Sequence, residues 1–375
     1  MTKLKEHKPS KIEALKAMTP ADRRRAIFDG IMNNAMFIII ALVIIYVAIK
    51  NPRFLSIPSL VNIISLTAAK LPIALGVGGC IILAGTDISA GRQVGLAACI
   101  SAGLQLTTNK LFPGLQIMPI PVVLLCVLVA CALVGFVNGF FMAKFKLHPF
   151  IVTLSTQLIV YGLVLLFMQL GTNGGQTLSG MSEGYRNFII KPLLTLKTSS
   201  GPVTVPRYVL YSTIITAIVW VIWNKTAFGK NMYAVGSNEE AANVSGVNVS
   251  KTIILVFVMA GMLYGITGFM DAARIASVNA TTGLNYEADA IAACVIGGIS
   301  FVGGIGKVSG AIIGVLLLQI IFAGLNFLSV DANYLYIVKA TSFGNSFTMW
   351  MLWLFSRLVS ITWMVSSSQI GRAHV

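Results

Sequence analysis

The chain has 375 residues, of which 56% are hydrophobic and only 10% charged. A soluble fold of that composition would lack the polar groups to cover its surface, so an integral membrane protein is the reading. The formal charge of +15 does not mark a nucleic-acid binder, because the cations gather at the ends of apolar runs and do not line one face among aromatics.

Eight cations (Lys3, Lys5, Lys8, Lys11, Lys16, Arg23, Arg24 and Arg25) precede the first apolar run, marking residues 1–30 as a tail held on the cytoplasmic side. That run begins near Ile31 and has no small-residue cleavage site behind it, so it is expected to stay as the first helix and not to be removed as a signal peptide. At about 20 apolar residues per crossing, spans are predicted near 31–49, 59–85, 91–108, 119–142 and 149–169. A second set follows near 207–223, 252–270, 287–302, 307–328 and 334–355. The expectation is an all-α polytopic membrane protein of about ten helices, with one permease domain over 31–339. With the N-terminus inside, loop 170–206 lies outside and segment 224–251 inside. The inside segments then hold 15 Lys and Arg and the remainder 12, which follows the positive-inside bias.

Lys70 interrupts the second span, and Gly76, Gly78, Gly79, Gly85 and Gly91 follow it. This pattern predicts a broken helix lining the pathway. Close packing of helices through small residues is the equal alternative, and Lys70 has a second reading as a side chain that snorkels to an interface. Gly-rich interruptions at 85–95 and 297–306 give the two halves a loose likeness, as in transporters with internal repeats.

The first motif is GTDISAGRQVGL, Gly85 to Leu96. A charge at membrane depth needs a partner, and Arg92 is expected to neutralise Asp87 across the turn. The pair reads as a lock on the loop in preference to a substrate contact. Asp87, Ser89, Arg92, Gln93, Asn138 and Thr153 are the candidates for pathway or gate, and Asn138 and Thr153 read equally as interhelical hydrogen bonds.

The second motif runs from Trp223 to Val249. Ser237 and Glu240 have the spacing of a capping box, and Gly246 is placed to end the helix in a left-handed turn, which delimits about two turns. Ala241, Ala242 and Val244 give that helix a small apolar surface for a groove in another protein; packing on its own bundle is the equal alternative. The third motif, Asp289 to Gly310, is not a phosphate loop, because Phe301 stands where a Walker A motif needs Gly and Val308 where it needs Ser or Thr. His7, His148 and His374 are not spaced as a metal or nucleophile site, and the five cysteines read as buried packing residues, so no enzyme is expected. Asp271, Glu287, Asp289 and Asp331 fall near span ends, where charge is inexpensive. Asp87 is then the one clear mid-membrane candidate for a proton- or ion-coupled carrier, the rival reading alongside a channel.

These motifs and the spans between them resemble the membrane permeases of bacterial ABC importers for monosaccharides, over roughly residues 30–339. Gly85-Thr86-Asp87-Ile88-Ser89-Ala90-Gly91-Arg92-Gln93 looks like the galactose/methyl-galactoside branch in particular, with ribose or xylose permeases as alternatives. The resemblance implies a type II importer fold and a homodimer in the bacterial inner membrane lipid. It implies a separate ABC ATPase subunit that uses the ATP, no cofactor on this chain, and a periplasmic or lipid-anchored sugar-binding protein outside. It also implies that Ser237, Asn238, Glu239, Glu240, Ala241, Ala242, Ser245 and Gly246 belong to the helix that couples to the ATPase. After Lys339 the chain departs from the family pattern, with three tryptophans and no basic end, so a reading-frame shift or sequence artefact is expected over 340–375; resequencing the 3′ end tests it.

Overall fold

The computed structural model describes residues 19, 22, 35–108, 110–112, 114, 116–171, 174–198 and 201–329. The basic tail, the predicted span at 334–355 and the segment after Lys339 lie outside the described residues. The chain divides into two units. One contains α1 (Ala35–Lys50). The other begins at Asn51 and carries every later element described below.

In this larger unit a 3-10 turn leads into α2 (Ile57–Ile82), whose start is fixed by the Ser56 hydroxyl, which accepts from the Ser59 N–H at 3.4 Å. There follow α3 (Ala90–Gln105), α4 (Ile120–Phe145), α5 (Pro149–Met168), α6 (Glu183–Ile190) and α7 (Arg207–Lys225). The chain continues through α8 (Ala227–Ser237), α9 (Glu239–Val244), α10 (Val249–Ile275), α11 (Tyr286–Ile296) and α12 (Val308–Phe327). Among the described residues six helices are long and apolar enough to cross a membrane: α2, α4, α5, α7, α10 and α12. Helices therefore stand at each predicted span up to 307–328.

Helices α2 and α10 form the interior, and α4, α5 and α7 turn apolar side chains such as Leu125, Leu158 and Ile218 outward, where only lipid or another chain could cover them. Cys126 is also on this outer surface, which corrects its reading as a buried residue; the other four cysteines are buried. Two G-x-x-x-G pairs bring α4 and α10 together antiparallel. A β-carbon at Gly135 would collide with the Phe257 carbonyl oxygen, and one at Gly261 with that of Cys131. Helices in lipid gain stability from such close backbone approach. Gly135→Ala is expected to cost about 2 kcal/mol by overpacking, while Gly162→Ala on α5, where a β-carbon meets nothing within 4 Å, leaves the unfolding midpoint in detergent unchanged or higher.

Loop 170–206 is built, not irregular. The Ser182 hydroxyl caps α6 and donates to Gln105 Oε1 at 2.5 Å. Strand β1 (Leu178–Ser179) pairs antiparallel with β4 (Ser277–Val278), and β2 (Pro192–Thr198) forms a hairpin with β3 (Gly201–Pro206). These strands are a small departure from an all-α chain.

The expected break in the second span is corrected. Helix α2 is continuous through Lys70, Pro72 and the three glycines, and Gly76 faces Tyr264 of α10, so these small residues serve packing. The discontinuity lies elsewhere. Residues 279–285 are not helical, and α11 has only 11 residues, about 16 Å at 1.5 Å per residue against a hydrocarbon core of about 30 Å. The span predicted at 287–302 is thus half a crossing, ended by Gly297 with Gly298 at φ +82°.

Candidate functional site

Three features bring the sequence candidates together or apart. The first is a buried polar knot at the turn between α2 and α3. Asp87, Ser89, Gln93, Asn138 and Thr153 are all fully buried. Ser89 is the hub. Its hydroxyl donates to Asp87 Oδ1 at 2.5 Å and accepts from Gln93 Nε2 at 2.9 Å and Asn138 Nδ2 at 3.0 Å. The Ser89 N–H also donates to Asp87 Oδ1, at 2.9 Å. One donor and two acceptor positions of a hydroxyl are then all used. Asn138 lies seven residues before the end of α4, which places the knot about 10 Å along that helix from its end. Thr153 bonds only to backbone oxygens, Pro149 at 2.9 Å, Thr86 at 3.3 Å and Phe150 at 3.5 Å.

The expected Asp87–Arg92 pair is not formed. Arg92 turns away from the knot: its Nη1 donates to the Ala280 carbonyl at 3.1 Å and its guanidinium lies 4.1 Å from the centroid of the Tyr161 ring. Arg92 is needed where non-helical backbone runs at membrane depth and must find donors inside the protein. A local hydroxyl and its own N–H serve Asp87 instead.

The second feature is a charge network missed in the sequence. Asp271, read as an inexpensive charge at a span end, is fully buried. Its Oδ1 accepts from Arg274 Nε at 2.8 Å, and its Oδ2 lies 3.9 Å from Lys70 Nζ. The Lys70 ammonium also stands over the Tyr286 ring, 2.7 Å from its centroid. Lys70 therefore does not snorkel; it joins α2 to α10 and to the first residue of α11. Glu287, likewise set aside, is buried beside Gly91 at the start of α3. The available signal was the one charge of α2, a cation in its middle, and the one carboxylate of α10, each in a long apolar helix. Beside this network a narrow cleft of about 10 Å³ is lined by Lys70, Tyr286, Asp289, Gln319, Ile73 and Val315. That is room for about one water, far below the roughly 300–1,000 Å³ of small-molecule sites, so a solute larger than water would enter only after α2, α11 and α12 part.

The third feature is α9. Its cap is Asn238, whose Oδ1 accepts from the Ala241 N–H at 2.8 Å. Ser237 ends α8, and its hydroxyl donates to the Tyr233 carbonyl at 2.9 Å. The expected Ser237 capping box is corrected by one residue, because an Asn in extended conformation reaches the N3 amide that Ser237, still helical, cannot. Gly246 does sit at φ +84°, with the Gly246 N–H bonded to Asn243 O and the Val247 N–H to Ala242 O, the paired bonds of a Schellman end. Asn238→Ala is expected to cost about 1 kcal/mol of local helix stability and Ser237→Ala a few tenths, read by amide hydrogen exchange across 239–246.

Antiparallel helices that bury a polar knot, a charge network and a discontinuous helix within an apolar surface define a polytopic membrane transport protein. A family model described as the permease component of branched-chain amino acid transport systems matches residues 59–343, and the chain belongs to that permease family. It is 40% identical over 317 residues, 84% of this chain and 92% of the relative, to the galactose/methyl galactoside import permease protein of Haemophilus influenzae. The protein of the same description in Escherichia coli K12 is 39% identical over 319 residues, 84% of this chain and 93% of the relative. The ribose import permease protein of Haemophilus influenzae is 33% identical over 311 residues, 83% of this chain and 90% of the relative. No solved structure matches the chain. The chain is an integral, multi-pass membrane protein.

Proposed function

We propose that this chain is the pathway-forming subunit of an ATP-driven importer for galactose and methyl galactosides in the bacterial inner membrane. The observation that carries the reading is 40% identity across 84% of the chain to a permease of that description, against 33% for a ribose permease. Two copies form the pathway, a separate ABC subunit binds and hydrolyses ATP, and a sugar-binding protein delivers substrate from the face that carries β1 to β4. This chain holds no cofactor of its own.

The α8–α9 end faces the cytoplasm, and α9 is the coupling helix. Its form suits that role, being a six-residue helix with Glu239 and Glu240 in its first turn, fixed at both ends by its caps, with Val244 at 89% exposure. ATP-driven movement of α9 passes through α8 to the adjoining ends of α2 and the loop after α11, the elements that close the cleft.

The test is transport by proteoliposomes holding this chain with its ATPase and binding protein. Galactose is expected to stimulate ATP hydrolysis and to accumulate, ribose to do neither, and Glu239→Lys with Glu240→Lys to abolish the stimulation. Stimulation by ribose alone would reassign the substrate, and equal sugar flux without the ATPase would identify a channel or secondary carrier.

A further inference from the structure

We propose that the 300–306 loop, an apolar tip between α11 and α12, is the second half of the surface on which the ATPase subunit docks. The inference rests on the reading of α9 as the coupling helix. Of the exposed large apolar side chains among the described residues, Val244 at 89% and Val302 at 85% stand furthest out. Neither lies within a spanning helix, so the bilayer core does not account for them: Val244 is the last residue of α9, and Val302 is in the turn before α12. Phe301 and Ile305 stand with Val302 in this loop, at 47% and 64% exposure. Exposed apolar side chains gathered at one place mark an interaction surface.

The tip is held rigidly and shares its support with α9. The Gly304 N–H donates to the Ile82 carbonyl at 2.8 Å, the Ser300 N–H to Ile305 O at 3.0 Å, and the Tyr233 hydroxyl to Gly306 O at 2.9 Å. Gly304 also packs against the Ser237 side chain, the residue just before the Asn238 cap. A preorganised tip loses little freedom on docking. Continuity with α9 selects the occupant: Gly304 meets Ser237, which directly precedes the Asn238 cap, so a protein seated on the coupling helix reaches the tip as well. Because the tip continues directly into α11 and α12, a partner seated on it moves the walls of the Lys70–Asp289 cleft without relying on α9 alone.

The test uses the full chain with Cys126→Ser, co-reconstituted with its ATPase in vesicles of bacterial lipid, carrying either Val244→Cys or Val302→Cys, labelled with a benzophenone maleimide and irradiated, so that no thiol is needed on the partner. Both positions are expected to give a permease–ATPase adduct. An adduct at position 244 with none at 302, or a 302 adduct with a second permease copy instead, overturns the proposal and leaves the coupling reading standing. No ATPase adduct at either position overturns both. As a second measurement, Val302→Asp combined with Ile305→Asp is expected to lower the ATPase retained on the purified permease on the order of tenfold. Retention equal to the wild type overturns the proposal.

Discussion

Asp271→Ala is expected to destabilise the folded chain by about 3–5 kcal/mol, the usual result of removing one partner from a buried ion pair. The carboxylate answers two cations, Arg274 Nε at 2.8 Å and Lys70 Nζ at 3.9 Å, and is itself fully buried. Without it Lys70, in the middle of α2 and about 20 Å along that helix from its start, keeps only the face of Tyr286 and its remaining local contacts. The measurement is the unfolding midpoint in graded SDS, with the folded fraction after membrane extraction as a second reading. The cost comes from the stranded cations and not from a lost attraction alone. Replacing all three charges together, Lys70→Met with Asp271→Leu and Arg274→Met, is therefore expected to recover at least half of the lost stability, since a well-packed apolar substitute often matches a buried pair. If the triple variant falls below Asp271→Ala, the network contributes more than mutual neutralisation.

What the sequence made legible follows from the physics of each feature. Apolar runs near bilayer length are long, local signals, so the helices fall where they were predicted. Gly246 was legible because a helix end of that form needs a positive φ, and Gly supplies it without steric cost. The discontinuity was assigned to the wrong helix because glycines within a helix and glycines that end one look alike in a linear pattern. Gly76 and Gly79 remain helical against α10 and Gly78 against α11, while Gly297 and Gly298 stop α11. The network around Asp271 was not legible because its partners are some 200 positions apart in the chain, and depth was inferred only from distance to a span end. Arg92 was paired with Asp87 on sequence proximity, yet the hydroxyl and N–H of a residue two positions away bond one oxygen of the carboxylate, and the arginine goes to distant backbone. Four of the six pathway candidates, Asp87, Ser89, Gln93 and Asn138, nevertheless meet in one knot.

That knot sets up a sharp contrast between two small hydroxyl deletions. Ser89→Ala removes the one atom that receives both amides and donates to the Asp87 carboxylate, leaving the Ser89 N–H as the carboxylate's hydrogen bond from this turn. Each buried polar group left without a partner costs about 1–3 kcal/mol; the Gln93 and Asn138 amides lose this one while Asp87 keeps the Ser89 N–H, so a loss on the order of 3 kcal/mol is expected. Thr153→Val also removes a fully buried hydroxyl, but one whose bonds go to the backbone at 2.9 Å, 3.3 Å and 3.5 Å. The Pro149 carbonyl it releases is a backbone acceptor in the first turn of α5, so a loss of about 1 kcal/mol is expected. Both variants are measured by the same SDS titration. Since the knot ties the α2–α3 turn to α4, its loss should also raise amide exchange across residues 83–95 in the Ser89 variant and leave that segment protected in the Thr153 variant. Equal midpoints with equal exchange would mean that the turn is held by the packing of Gly85 and Ala90 and not by the hydroxyl hub.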